Sequence, residues 1–201
     1  YPDLATINRL FINGYLIFEE IAGRHQTDKR SEAEYDQEKW VSLVQAGGFW
    51  SSLIKDNDDG KTLNLSFISL TDAGLSVILN ACPNKGSITQ LDLMCNQLKS
   101  ILLNDEYKGL KRLNLRMNHE LERLDVQQVN SLQALYVNGC SRLREIDIPP
   151  TTELIEIGKE HEGVISERDG LKIMRGNKAC YDLAILVYQQ ELEKIIKSDP
   201  D

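Results

Sequence analysis

The chain has 201 residues, 41% hydrophobic and 27% charged, with 31 acids against 23 bases for a net charge of −8. That length fits one domain, or one with appendages, and is enough for a real core. The acidic balance argues against a nucleic-acid-coating protein, because phosphate binding rests on Lys and Arg. No apolar run approaches the roughly 20 residues that span a bilayer.

The chain opens on Tyr1-Pro2-Asp3 with no initiator methionine or signal-peptide pattern, as expected of a cut-out piece. Leu4, Ile7, Phe11, Phe18 and Ile21 approximate one helical face, interrupted by Gly14. The charged run from Gly23 to Glu38 reads as a loop or solvated link. Trp40, Leu43, Val44, Trp50, Leu53 and Ile54 return to near-helical spacing, with a break at Gly47-Gly48. Asp56-Asn57-Asp58-Asp59-Gly60 then turns the chain; it lacks the glutamate that a calcium-binding EF-hand loop places about six residues after its glycine. Residues 1–60 are expected to form an N-terminal helical cap.

Residues 61–175 repeat themselves. Ile88-x-x-Leu91-x-Leu93-x-x-Asn96-x-Leu98 is followed by Leu110-x-x-Leu113-x-Leu115-x-x-Asn118, then by Leu132-x-x-Leu135-x-Val137-x-x-Cys140. Leu91, Leu113 and Leu135 are spaced by 22 residues, and Leu63-x-Leu65 stands 28 residues earlier. Each Leu-x-Leu pair reads as a short strand with alternate side chains in the core. The Asn turns the chain and hydrogen-bonds backbone groups there, and the small, buriable Cys140 stands in for it. After the first pair, Thr71 to Leu79 places Leu75, Ile78 and Leu79 at helical spacing. Later units instead carry a second half-motif, at Leu98-x-x-Ile101-x-Leu103, Leu121-x-x-Leu124-x-Val126 and Leu143-x-x-Ile146-x-Ile148. Pro149-Pro150 interrupts the pattern, since neither proline donates to a ladder. Weaker strands follow at Ile155-x-Ile157 and Leu171-x-Ile173.

Beyond Asn177, a suitable N-cap, Cys180, Leu183, Ala184, Val187, Leu192, Ile195 and Ile196 mark an amphipathic helix. Residues 176–201 are therefore expected to be a C-terminal capping helix. Residues 1–60 carry −5, residues 61–150 carry +1 and residues 151–201 carry −4, so the acidity belongs to the flanks. Cys82, Cys95, Cys140 and Cys180 form no C-x-x-C pair and fit a reducing, cytosol-like compartment better than a disulfide scaffold. His25, His119 and His161 are dispersed, without metal-ligand spacing, and no cofactor motif is present. Cys95 has only the remote His119 as a base, so an enzyme reading is weak.

The repeat resembles the leucine-rich repeat family over roughly residues 61–158. The resemblance implies an α/β solenoid, a short curved horseshoe, with helical caps at both ends. The long first unit resembles ribonuclease-inhibitor repeats, and the later ones resemble short bacterial repeats with extended convex segments. In this family the residues flanking the inward leucines face solvent on the concave sheet. Here these are Asn64, Asp92, Asn114, Tyr136 and Glu156, with Ser66, Met94, Arg116, Asn138 and Gly158 one column on. The column before comprises Thr62, Gln90, Arg112, Ala134 and Leu154. Tyr136, Arg112, Arg116 and Met94 are the leading partner contacts, Tyr and Arg being common interface anchors, with Asn64, Asp92, Asn114 and Asn138 beside them. A basic cluster, Lys108, Lys111, Arg112, Arg116, Arg142 and Arg144, reads as a solvated rim balanced by Glu120, Glu122 and Glu145 rather than an anion site. The resemblance implies a non-enzymatic protein-binding module of the kind found in translocated bacterial effectors, with an unidentified protein partner, no nucleic acid, no membrane insertion and no cofactor. The alternative is the substrate-recognition part of a larger enzyme, such as a bacterial ubiquitin ligase, whose catalytic half would lie outside this sequence.

Overall fold

A computed structural model describes residues 32–158 and 171–175, with side chains over 37–158 and 171–173. The expected N-terminal helical face at Leu4 to Ile21 and the C-terminal helix lie outside the described residues.

The first described element is helix α1, Glu32–Gln45. It corrects the reading of a link up to Glu38: the first turns are rich in Glu, Ala and Gln, which favour helix, and acids near an N-terminus suit the helix dipole. As the spacing predicts, the chain breaks at Gly47-Gly48, where Gly48 has φ 85°. Helix α2, Phe49–Leu53, is only five residues long. Ile54 does not extend it. Instead Ile54–Asn57 is strand β1, antiparallel to β2, Gly60–Asn64, with Ile54 opposite Leu63 and Asn57 opposite Gly60. The Asp59 N–H donates to Asn57 Oδ1 at 2.8 Å and fixes the turn of this tight hairpin. The β-branched Ile54 thus belongs to the edge of a sheet, and the supposed helical cap contains a strand.

The expected repeat strands all form. β3 is Ile88–Asp92, β4 Ser100–Leu102, β5 Arg112–Asn114, β6 Arg123–Asp125, β7 Ala134–Tyr136, β8 Glu145–Asp147, β9 Leu154–Ile157 and β10 Lys172–Arg175. They build two sheets, ordered β1-β2-β3-β5-β7-β9-β10 and β4-β6-β8. In the larger sheet, Leu63, Leu91, Leu113, Leu135, Ile155 and Ile173 lie in one register across parallel strands. In the smaller, Ile101, Leu124 and Ile146 do the same. The half-motifs are therefore the two sides of stacked coils, with the leucine-lined core between them.

Helix α3, Asp72–Ala81, takes the place of the second strand in the first coil. Thr71 caps it, its Oγ1 accepting from Gly74 N–H at 3.4 Å, and Leu75, Ile78 and Leu79 face the core. α1 packs on α3. At that contact Gly74 is required sterically, because a Cβ there would lie 2.3 Å from Trp40 Nε1.

Inside the stack the turn residues form a ladder between coils. Asn96 Nδ2 donates to Leu65 O and Leu93 O at 2.8 and 2.9 Å, while its Oδ1 accepts from Ile68 and Leu70 N–H at 3.3 and 2.9 Å. Asn118 Nδ2 donates to Leu93 O and Leu115 O at 2.9 and 2.8 Å, and its Oδ1 accepts from Leu98 N–H at 3.4 Å. Cys140 Sγ donates to Leu115 O at 3.1 Å, so the substituted thiol keeps one rung of the same ladder. Just before these positions, and at the matching place in the first coil, the backbone turns left-handed in four successive coils, at Phe67, Cys95, Met117 and Gly139, with φ between 55° and 82°. Only Gly139 announces that turn in its residue type.

Candidate functional site

Along each strand of the larger sheet, the side chains between the inward leucines turn to the face opposite the core. The structure brings five of the sequence-derived candidates together there. Asp92 Oδ1 accepts from Asn114 Nδ2 at 3.1 Å, linking β3 to β5. Just beyond β5, the Arg116 guanidinium grips Glu156 of β9 through two bonds, Nε to Oε1 at 3.1 Å and Nη2 to Oε2 at 2.5 Å. Between them Tyr136, on β7, lies under the guanidinium, 4.4 Å from ring centroid to Cζ. Asp92, Asn114, Arg116, Tyr136 and Glu156 thus form one network across four adjacent strands.

The column of Asn and Asp residues also has a structural task. Asn64 Oδ1 accepts from Ser66 N–H at 3.0 Å and from Ser66 Oγ at 2.6 Å. Asp92 Oδ1 accepts from Met94 N–H at 3.1 Å, and Asn114 Oδ1 from Arg116 N–H at 3.2 Å. Each such bond curls the chain at the strand end, a turn for which Asn and Asp side chains are suited. This explains a correction in the next column. Met94 and Asn138, expected to point to solvent, are buried at 9% and 1% exposure, and Ser66 and Gly158 are buried too. In three of these coils the strand ends as that column begins, and the chain already bends toward the neighbouring coil. Glu156, also expected in solvent, is buried against Arg116. In the column before the leucines, Ala134 is buried, and Thr62, Gln90, Arg112 and Leu154 are half-buried.

The basic residues do not gather into one patch. Arg112 pairs with Asp59 at 2.9 Å, and Lys111 reaches the same carboxylate at 3.6 Å. The partners expected for the rim are partly as read: Arg142 pairs with Glu120, and Glu145 meets Arg123 at 3.5 Å. Lys108 and Arg144 are exposed. Asp59 was not foreseen as a counter-charge; its place at the tip of the β1–β2 hairpin depends on a strand the sequence hid within a helical spacing.

Electrostatics follow the packing. The Arg112 hydrogen bond and the nearby Lys111 hold the Asp59 carboxyl below its ordinary value. Burial raises Asp92, against the opposing hydrogen bonds of Met94 N–H and Asn114 and the charge of Arg116. Burial, aided by the Asp92 charge, pushes the Cys95 thiol up to about 12, and burial pushes Cys82 up to about 11. Thiolates are disfavoured at both. Among the described residues no group of three or more His, Cys, Asp or Glu is placed to hold a metal ion. No described helix is long and apolar enough to cross a membrane.

The described fold is thus a mixed α/β stack of coils with a polar, cross-linked network on its larger sheet. Comparison with protein-family models, with curated proteins and with solved structures found no match for the chain.

Proposed function

We propose that the chain is a leucine-rich repeat protein that binds another protein on its larger, concave sheet and performs no chemistry of its own. The observation that carries this reading is the Asp92–Asn114–Arg116–Tyr136–Glu156 network, which holds side chains of four strands in one arrangement. Side chains ordered in advance lose little freedom when a partner docks. Tyr136 and Arg112, both half-exposed, stand on the same sheet as aromatic and cationic anchors. The in-register leucines and the Asn96–Asn118–Cys140 ladder support the repeat family. The packing of α1 on α3 supports a helical N-terminal cap. A helix-bearing coil beside strand-bearing coils supports a likeness to bacterial repeat proteins, and with it a role as an effector that acts on host proteins.

Affinity capture from host cytosol tests the reading, with the wild-type chain against Arg112→Glu/Tyr136→Ala. The double variant should lose specific partners while remaining folded, with a wild-type far-UV circular dichroism spectrum and only a modestly lowered melting temperature, since it gives up the Arg112–Asp59 pair and the Tyr136–Arg116 stack. Capture of the same set by both chains would overturn recognition by this sheet.

A further inference from the structure

The tip of the β1–β2 hairpin carries an Asp-Gly pair, Asp59-Gly60, and the fold holds both residues there. Gly60 has φ 143°, and a Cβ on it would lie 2.6 Å from Thr89 Cγ2, so any side chain at this position would collide. Without a side chain to screen it, the Gly60 nitrogen is open to the nearest electrophile, the carboxyl carbon of Asp59. Solvent reaches the site, because the side chains of Asp59 and its partner Arg112 are 38% and 42% exposed. An ion pair so exposed is weak and opens readily to water. While it is closed, the Arg112 hydrogen bond and the nearby Lys111 keep the carboxyl ionised. A carboxylate is a poor electrophile, since its negative charge repels the attacking nitrogen.

We propose that Asp59-Gly60 is a site of spontaneous isoaspartate formation, with Arg112 and Lys111 as the latch that sets its rate. When the pair opens and the carboxyl takes up a proton, Gly60 N attacks Asp59 Cγ. The N–Cγ bond forms, and the carboxyl hydroxyl leaves with the amide proton as water, closing a cyclic imide. Solvent water then adds to the main-chain carbonyl carbon of Asp59 and breaks its bond to Gly60 N. The main chain now runs through Cγ, the free carboxylate sits on Cα, and the net charge is unchanged. The tight turn between Asn57 and Gly60 gains one backbone carbon, and Arg112 loses its partner. The Asn138-Gly139 pair behaves in the opposite way. A side-chain amide closes an imide more readily than a carboxyl, yet Asn138 is 1% exposed, and its carbonyl accepts Met117 N–H at 2.9 Å. Folding therefore reverses the intrinsic order of the two pairs, because only the hairpin tip is free to move. One consequence rests on reading the larger sheet as the binding surface: the rearrangement frees Arg112 there and changes the charge that a partner meets.

Ageing of the full chain in warm, neutral buffer, with no partner present, tests the site. Peptide mapping with electron-transfer fragmentation locates isoaspartate, and a protein isoaspartyl methyltransferase with labelled S-adenosylmethionine counts it. The wild type should gain isoaspartate at residue 59 over weeks and none at residue 138; in urea, Asn138 should react first. Arg112→Ala should gain it at residue 59 several-fold faster than the wild type, and Lys111→Ala by a smaller factor. Arg112→Lys, which restores a cation to the carboxylate, should return close to the wild-type rate. Lys111→Ala keeps the latch testable should Arg112→Ala fold poorly. No isoaspartate at residue 59 in the wild type, equal rates in the wild type and both alanine variants, or earlier reaction at Asn138 in the folded chain would overturn the proposal. Because no partner enters, such a failure is separate from failure of the capture experiment, which tests recognition alone.

Discussion

Two kinds of coil meet in this stack, and their joint shows what each repeat requires of its neighbour. The first coil is longer and carries α3, whereas the following coils carry β4, β6 and β8 on the same side. The first has Ile68 where the others have Asn96, Asn118 and Cys140, so Asn96 reaches back to bond Leu65 O and the N–H groups of Ile68 and Leu70. On the other side β4 has no strand before it. There Asp72, in the first turn of α3, supplies the missing acceptors: Oδ1 takes the Lys99 N–H at 2.7 Å, and Oδ2 takes Ser100 N–H at 3.0 Å. In the next coil Lys99 O does this work for Glu122 N–H at 2.8 Å, as Glu122 O does for Arg144 N–H at 3.0 Å. Unlike repeats can therefore adjoin when a side chain on either side meets the backbone groups the change leaves exposed.

The sharpest way to break this account is to remove the ladder at the joint and within the uniform coils. Asn96→Ala leaves three buried backbone groups unmet, Leu65 O and the Ile68 and Leu70 N–H groups, and should cost about 4 kcal/mol. Asn118→Ala leaves only the Leu98 N–H unmet, because Asn96 still meets Leu93 O and Cys140 still meets Leu115 O, and should cost about 2 kcal/mol. Urea unfolding measures both, and the reverse order would mean that the joint does not depend on Asn96. Gly74→Ala tests the helix-bearing coil. The new methyl group would collide with the Trp40 indole, so about 2 kcal/mol should be lost as α1 or α3 shifts. An unchanged thermal midpoint would show that α1 adds nothing to the first coil.

Much of this comparison was legible in the sequence. The 22-residue spacing gave the register of Leu91, Leu113 and Leu135, and the helical spacing of Leu75, Ile78 and Leu79 gave α3, because both report directly which side chains face the core. β1 was not legible, since four residues in a short apolar segment fit either period and only pairing with β2 decides. The network was half legible. The repeat resemblance implied that Asp92, Asn114, Arg116 and Tyr136 share one sheet, but the Arg116–Glu156 grip joins residues 40 apart in sequence, and the burial of Met94 and Asn138 depends on turns that their residue types do not reveal. The left-handed residues Phe67, Cys95 and Met117 were equally hidden, because the coil forces that turn against their own preference.

A smaller effect is expected from the reach of Asp72 across the joint. Asp72→Ala removes the acceptor for Lys99 N–H, Ser100 N–H and the Ser100 hydroxyl, all near the surface, where water takes part of the load. About 1 kcal/mol should be lost, together with faster amide exchange at Lys99 and Ser100 than at Glu122 and Arg144. Equal exchange at the two sites would show that β4 does not need the side chain.

The smallest effect concerns Asp92, which stands where the adjoining coils carry Asn64 and Asn114. All three side chains accept the N–H two residues on, so the charge of Asp92 is not needed for the turn. Burial raises its carboxyl above the ordinary aspartate value despite the pull of Arg116. The folded chain therefore keeps this proton at a pH where the unfolded chain has already released it. The stability gained from this group is complete below the ordinary aspartate value and is lost as pH rises through the raised one. At neutral pH the ionised side chain is a net cost, and Asp92→Asn should raise the urea midpoint by less than about 1 kcal/mol in stability, with the difference vanishing on acidification. A midpoint lowered at neutral pH would mean that attraction to Arg116 outweighs burial, and that the charge at this one coil helps hold the network together.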